Sequence, residues 1–206
     1  MKKIPTLFVR EFENHKIVDI RDEITPGCAG AFKYGIATEK YDGACCAVMN
    51  GELYKRYDAK AGKIPPEGAI PCDNPDPTTG HWPHWVKIDV NDPKPDEKWF
   101  VAAWAWNRQF RDIKDGTYEA VGPHFNGNPY GYKYDMLLKH GTVVCNVERT
   151  FEGVKEFLEK VPCEGLVFWL NGLPVCKIKR TDFGLEWPIK ALKERCADML
   201  FNEEDI

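Results

Sequence analysis

Lys40 stands two residues before the Asp42-Gly43 pair, and a lysine fixed beside such a turn can serve as a positioned amine nucleophile. The segment that reads as the returning strand of the next hairpin carries Lys55 and Arg56, with Lys60 just beyond. Cations beside an amine disfavour its protonated form, which is one way a lysine becomes reactive near neutral pH; an anionic ligand would suit the same cluster. Further along, Glu119 lies within Gly-Thr-Tyr-Glu-Ala-Val, Glu164 opens Glu-Gly-Leu-Val-Phe, and Lys177 and Lys179 flank Ile178. Alternate residues of a strand share a face, so the two lysines present a pair of ammonium groups to something anionic. Taken singly, each has a plainer structural explanation: a solvated turn lysine, two exposed strand carboxylates, a charge guard on an edge strand.

The elements that must position these groups are readable from periodicity and turn signals. Ala44 to Met49, Asn50-Gly51 and Glu52 to Tyr57 form a hairpin, and Asn-Gly is the strongest two-residue signal for one. Gly165 to Leu170, Asn171-Gly172 and Pro174 to Arg180 form a second. Strands are also expected at Trp85 to Val90, Gly116 to Val121 and Thr142 to Val147, and Leu7 to Phe12 reads as a strand or an irregular lead-in. Pro26-Gly27 with Gly30 marks a loop, and residues 61 to 80 a long surface loop. Lys98 to Phe110 could place Trp99, Phe100, Val101, Trp104 and Phe110 on one helical face, with strand as the alternative. Thr150 reads as the N-cap of a helix through Lys160, with Phe151, Val154, Phe157 and Leu158 at helical spacing. A closing helix from Leu185 to Phe201 is expected, capped by Thr181 or Asp182. These segments give an α+β fold of antiparallel sheets with flanking helices, in one domain over 1–206.

Composition bounds the function. A 43% hydrophobic, 29% charged chain of net charge −4 is ordinary for a globular protein and disfavours tight nucleic-acid binding through overall charge. No apolar run approaches the roughly 20 residues that span a bilayer, and Met1-Lys2-Lys3 precedes no apolar core of a signal peptide. Eight cysteines with no framework spacing suggest reduced thiols and a cytoplasmic setting, with Cys45 and Cys46 packed as small hydrophobes. Cys72, His81 and His84 hint at a metal, but no fourth ligand follows, and Trp82 and Trp85 point instead to a packed loop.

Taken in order, Lys40-Tyr41-Asp42-Gly43, a basic residue at Arg56, a strand glutamate at Glu119, the Glu164-Gly165 hairpin and Lys177-Ile178-Lys179 resemble the ordered motifs of the covalent nucleotidyltransferases. Within that superfamily, Ala37-Thr38-Glu39-Lys40 and the loop Asn126 to Gly131 resemble the ATP-dependent RNA ligases, particularly the compact group that includes the vertebrate 5′-to-3′ RNA ligase. The resemblance covers about Thr38 to Arg180 and implies an ATP-grasp-like ligase adenylation domain.

The resemblance further implies three in-line displacements at phosphorus: Lys40 takes AMP from ATP, an RNA 5′-phosphate takes it from Lys40, and a 3′-hydroxyl seals the strand, as in RNA repair. Lys177 and Lys179 would hold phosphates, Arg56 would meet the 5′-phosphate or ribose side with Lys55 and Lys60 competing for that role, Glu39 would add to the nucleotide site, and Asp42, Glu119 and Glu164 would hold Mg²⁺ or Mn²⁺ through water, the two glutamates alternatively orienting ribose hydroxyls. Phe125, Tyr130, Tyr132 and Tyr134 are all open as the adenine-stacking aromatic. The chain ends about 25 residues past the Lys-x-Lys strand, so no OB-fold domain is expected, which disfavours capping enzymes and clamp-like DNA ligases. Another nucleotidyltransferase, or a non-catalytic module binding nucleotide or RNA ends, is the alternative.

Overall fold

The computed structural model describes residues 3–14, 16–110, 112–187 and 192–194. In chain order it forms β1 (Phe8–Glu13), β2 (Lys16–Ile24), α1 (Ala29–Tyr34), β3 (Ile36–Lys40), β4 (Ala44–Met49), β5 (Glu52–Ala59), β6 (Ile70–Pro71) and β7 (Trp82–Lys87). Then follow α2 (Lys98–Arg108), β8 (Gly116–Val121), β9 (Met136–Lys139), α3 (Phe151–Lys160), β10 (Gly165–Leu170) and β11 (Leu173–Lys179). The strand pairs within sheets are antiparallel, as the α+β expectation requires. The chain divides into two compact units, one built from Asp42–His140 with Lys3, the other from Ile4–Tyr41 and the segment that begins at Gly141. No described helix is long and apolar enough to cross a membrane.

The unit of Asp42–His140 is built on a six-stranded sheet ordered β6-β7-β5-β4-β8-β9. Asn50 and Gly51 take φ of 53° and 76°, both positive, which matches the twist of a two-residue hairpin, and Asp115 accepts from both backbone N–H groups at 2.6 and 3.1 Å. α2 resolves the helix-or-strand alternative. Trp99, Phe100, Val101, Trp104 and Ala103 pack with Val48, Leu53, Tyr118, Phe125 and Leu137; Phe100, Ala103 and Trp104 recur at the i, i+3, i+4 spacing of one helical face, with Trp99 and Val101 on its flanks. Phe110 does not join them, because the helix ends at Arg108 and leaves that ring 59% exposed. The buried Asn107 amide exchanges two 2.8 Å hydrogen bonds with the Leu137 backbone and ties α2 to β9, a four-residue strand too short to stand out in the sequence. The strand expected at Trp85 to Val90 begins and ends three residues earlier, because it pairs with β5 from Trp82 onward.

The second unit holds a three-stranded sheet ordered β11-β10-β3 and a separate β1-β2 hairpin. Phe8, Phe32, Val154, Leu158, Leu166, Phe168 and Ile178 share its core. Thr150 caps α3 as expected, its Oγ1 accepting from Gly153 N at 3.0 Å. Two expectations fail here. The loop expected around Pro26 to Gly30 turns into α1, which buries Ala31 and Phe32. Thr142 to Val147 is irregular, meeting β3 in one bridge, Thr38 to Val144, with hydrogen bonds from Glu39 N to Val143 O and from Cys145 N to Ala37 O, both 2.9 Å. β2 carries no sustained alternating apolar pattern in the sequence, and only Ile20 of its nine residues is buried. The expected closing helix falls largely outside the described residues. Asp182, one of its two expected caps, sits in a 3₁₀ turn (Arg180–Phe183) and accepts from Lys179 N at 2.8 Å. The seven described cysteines carry free thiols.

Candidate active site

In the second unit, β3 delivers Lys40 as its last residue, opposite Gly165, and Gly165 lies opposite Lys179 on the far side of β10. One row across three strands therefore runs Lys40, Gly165, Lys179. The next row on the same face is Thr38, Val167, Lys177. Gly165 leaves the row open: a Cβ there would stand 2.0 Å from the Ile178 carbonyl oxygen. Glu164, just ahead of β10 and only 5% exposed, receives the Lys40 ammonium on Oε2 and the Lys179 ammonium at 2.5 Å on Oε1. Lys40 Nζ also donates to the Tyr41 carbonyl at 3.3 Å.

Lys177 is half-buried beside this pair. Burial, and then the Lys40 and Lys179 ammonium groups, lower its amine to about 8, against a smaller opposing pull from Glu164. The surface thus collects three amines around one carboxylate, a strong local excess of positive charge. The same alternation that aims Lys40 at this face sends Glu39 to the other side of β3, where it is buried opposite Leu166. The 3₁₀ turn after β11 is pinned by Arg10, whose Nε and Nη2 donate to Asp182 Oδ1 at 3.0 and 2.6 Å.

The other unit carries Asp42, Glu119 and Arg56. Asn126 Nδ2 donates to Asp42 Oδ1 at 2.8 Å and to the Gly43 carbonyl at 2.9 Å, while Asp42 N donates to the Tyr130 hydroxyl at 2.6 Å. The Asn-rich loop singled out in the sequence is thus the clamp on Asp42. Gly43 N donates to Glu119 Oε1 at 3.1 Å, and a Cβ on Gly43 would stand 2.2 Å from the Ala120 carbonyl oxygen. That close approach explains the glycine of Lys-x-Asp-Gly. Glu119 Oε2 meets His140 Nε2 at 2.9 Å, and His140 Nδ1 meets Thr117 Oγ1 at 3.0 Å. Arg56 lies on β5 and pairs with Asp58 at 3.0 Å, whereas Lys55 is held by Asp96 and Glu97 at 2.5 and 2.8 Å.

Of the expected residues, Lys40, Glu164, Lys177 and Lys179 come together on one sheet face, and Asp42 and Glu119 are linked through Gly43. Within Lys40's own unit, its cationic neighbours are Lys177 and Lys179 on β11. Local sequence carries no signal for His140, Asn126, Tyr130 and Arg10 as partners of site residues, since their contacts span 21 to 172 positions. Among the open aromatics, Tyr134 stacks on Trp106 at 4.0 Å, Phe125 meets Phe100 edge-on, and Tyr130 stacks on Tyr132 at 5.5 Å. Cys72, His81 and His84 do not form a ligand set among the described residues, and buried His84 packs on Trp82.

A surface of clustered amines around a buried carboxylate is suited to gripping phosphate and to presenting one amine for attack. No protein-family model matches the chain. It is similar to RNA ligase 1 of Pongo abelii, 27% identical over 75% of this chain and 69% of that protein. It is likewise similar to RNA ligase 1 of Danio rerio, 23% identical over 91% of this chain and 82% of that protein. The similarity is distant and supports a relationship to RNA ligases in general.

Proposed function

We propose that the protein is an ATP-dependent RNA ligase that carries AMP on Lys40 and joins an RNA 5′-phosphate to a 3′-hydroxyl in RNA repair. The observation that carries this reading is the Glu164 carboxylate accepting from both the Lys40 and the Lys179 ammonium groups, with Lys177 alongside. The similarity to the two RNA ligase 1 proteins supports the choice of RNA as the acceptor.

In the first step Lys40 gives up a proton and its nitrogen bonds to the α-phosphorus of ATP as the bond to the β-phosphate oxygen breaks, releasing pyrophosphate. An RNA 5′-phosphate oxygen then attacks the same phosphorus, the nitrogen–phosphorus bond breaks, and the lysine amine is restored. Finally the RNA 3′-hydroxyl loses its proton, attacks the 5′-phosphorus and displaces AMP. Lys177 and Lys179 offset the charge of the phosphates, and Glu164 orients the Lys40 amine between its own carboxylate and the Tyr41 carbonyl. Arg56 is a further nucleotide contact in this proposal, and Glu39, whose side chain is buried on the opposite face of β3 from Lys40, contributes no side-chain contact to it.

Asp42, Glu119 and Glu164 offer carboxylate oxygens, the hard donors that suit Mg²⁺ or Mn²⁺. Glu164 already meets two ammonium groups, so its contact with a cation would run through water. When bound with ATP, the cation neutralises charge on the polyphosphate.

Incubation with α-labelled ATP and Mg²⁺ should leave covalent label on the protein that survives alkali and is released by acid, as a nitrogen–phosphorus bond requires, and Lys40→Ala should remove it. Labelled Lys40→Ala protein would overturn the reading. Labelling from GTP in place of ATP would point to a guanylyltransferase, and sealing of DNA in place of RNA ends to a DNA ligase. Affinity for ATP without any adduct would mark a non-catalytic module.

A further inference from the structure

Glu119, offered to Mg²⁺ through water in the proposed function, also belongs to a second cluster whose other members, Cys45 and His140, the ligation chemistry does not use. Its position in β8 lies directly opposite Cys45 of β4, and His140, one residue past β9, donates its backbone N–H to Thr117 O at 3.1 Å. Thr117 and Glu119 share one face of β8 by alternation. Three neighbouring chain segments therefore bring Cys45, Glu119 and His140 side chains together, each half-buried, with one sulfur, one oxygen and one nitrogen all within 4.8 Å of one another.

The surroundings are those of a ligand set. Glu119 Oε1 is pinned by Gly43 N, leaving Oε2 directed at His140 Nε2. His140 is fixed through its other nitrogen by the Thr117 hydroxyl. A hydroxyl can accept as well as donate, so Nδ1 can carry the ring proton toward Thr117 and turn the Nε2 lone pair toward an ion. Metal-binding histidines and carboxylates are oriented by such outer partners.

We propose that Cys45, Glu119 and His140 form a binding site for a thiophilic divalent cation of the Zn²⁺ type, with the fourth position left to water or a ligand. Tetrahedral bonds of about 2.3 Å to sulfur and 2.0–2.1 Å to nitrogen and oxygen put the three donors about 3.3–3.6 Å apart. The His140 Nε2 to Glu119 Oε2 gap, now 2.9 Å, would open by a few tenths of an ångström, and the Cys45 sulfur lies within 4.8 Å of both, adjustments within the reach of side-chain rotation on cysteine and glutamate. On binding, the Cys45 thiol loses its proton to solvent and the ion takes the place of any proton shared between His140 Nε2 and Glu119 Oε2. The mixed S, N, O donor set favours Zn²⁺ or Co²⁺ over the hard Mg²⁺.

The site is tested with Co²⁺ and full-length protein in the absence of ATP and RNA, so its outcome is separate from that of the ligase assay. Wild type should take up one Co²⁺ with a sulfur-to-cobalt charge-transfer band and the visible bands of tetrahedral coordination, and Zn²⁺ should erase both. Cys45→Ser should lose the charge-transfer band; Cys45→Ala, which keeps a small apolar group in that place, is the second variant should serine disturb folding, checked by circular dichroism. Cys72→Ser, at the nearby thiol that also acts on Cys45, and Lys40→Ala should both keep the band. Thr117→Val, which removes the partner of His140, should weaken Co²⁺ binding about 10- to 100-fold. Absence of the band in wild type, or its survival in both Cys45 variants, would overturn the proposal.

Discussion

The Glu164 carboxylate receives the Lys40 ammonium across the β3-β10 pair, in a setting where the carboxylate is 5% exposed. Its second oxygen is occupied by Lys179. Glu164→Gln removes the negative charge shared by the two ammonium groups and leaves them to repel one another. It should lower stability by about 1–3 kcal/mol and reduce the rate of adenylate formation about 100-fold. Thermal unfolding and single-turnover labelling with ATP measure the two effects separately. A glutamine variant that labels at the wild-type rate would remove Glu164 from the mechanism.

Gly43 and Gly165 are each closed to a side chain by a backbone carbonyl, that of Ala120 at 2.2 Å and that of Ile178 at 2.0 Å. Alanine at either position forces the strands apart and should cost about 1–3 kcal/mol. Gly30→Ala is the comparison: it lies in α1 and its Cβ would meet only Leu170 Cδ2, at an ordinary 3.7 Å. That variant should be neutral or more stable by up to about 1 kcal/mol. Equal melting temperatures for all three alanine variants would contradict the packing described.

Lys177 holds its proton only up to about pH 8 in the fold, because burial and then its lysine neighbours penalise the charge. In the unfolded chain the same amine holds its proton to about pH 10.4. Between these values the unfolded state binds more protons, so this group's contribution to stability rises as pH climbs from 8 and is at its most unfavourable below 8. Lys177→Met should therefore be more stable than wild type at pH 7, with the gap narrowing by pH 9.5, while adenylation weakens for want of a phosphate contact. Denaturant titrations at the two pH values check this; a gap of constant size would refute it.

Thr150 caps α3 through its hydroxyl, away from the amine cluster in sequence and role. Thr150→Ala should cost about 1 kcal/mol of stability and leave the adenylation rate of the folded protein unchanged. A loss of rate at temperatures where the variant remains folded would show that α3 reaches the site.

The sequence by itself determined the local elements whose signals lie within a few residues. Asn50-Gly51 and Asn171-Gly172 specify their hairpins, Thr150 specifies a helix start, and alternation specifies that Lys177 and Lys179 share a face. It also supplied the order of Lys40, Asp42, Glu119, Glu164 and the two lysines. What it left open were elements with weak patterns. β2 is almost wholly exposed, β9 has four residues, and the stretch from Thr142 to Val147 meets β3 in a single bridge despite its strand-like composition. Partner choice was decided only by the tertiary structure. Which ammonium groups meet Glu164, that Asn126 and Tyr130 hold Asp42, and that His140 and Cys45 flank Glu119 all depend on tertiary pairings of residues 15 to 124 positions apart. Register is a property of the paired strands, since a slip of one residue turns every side chain to the opposite face, and no short window of sequence contains both partners.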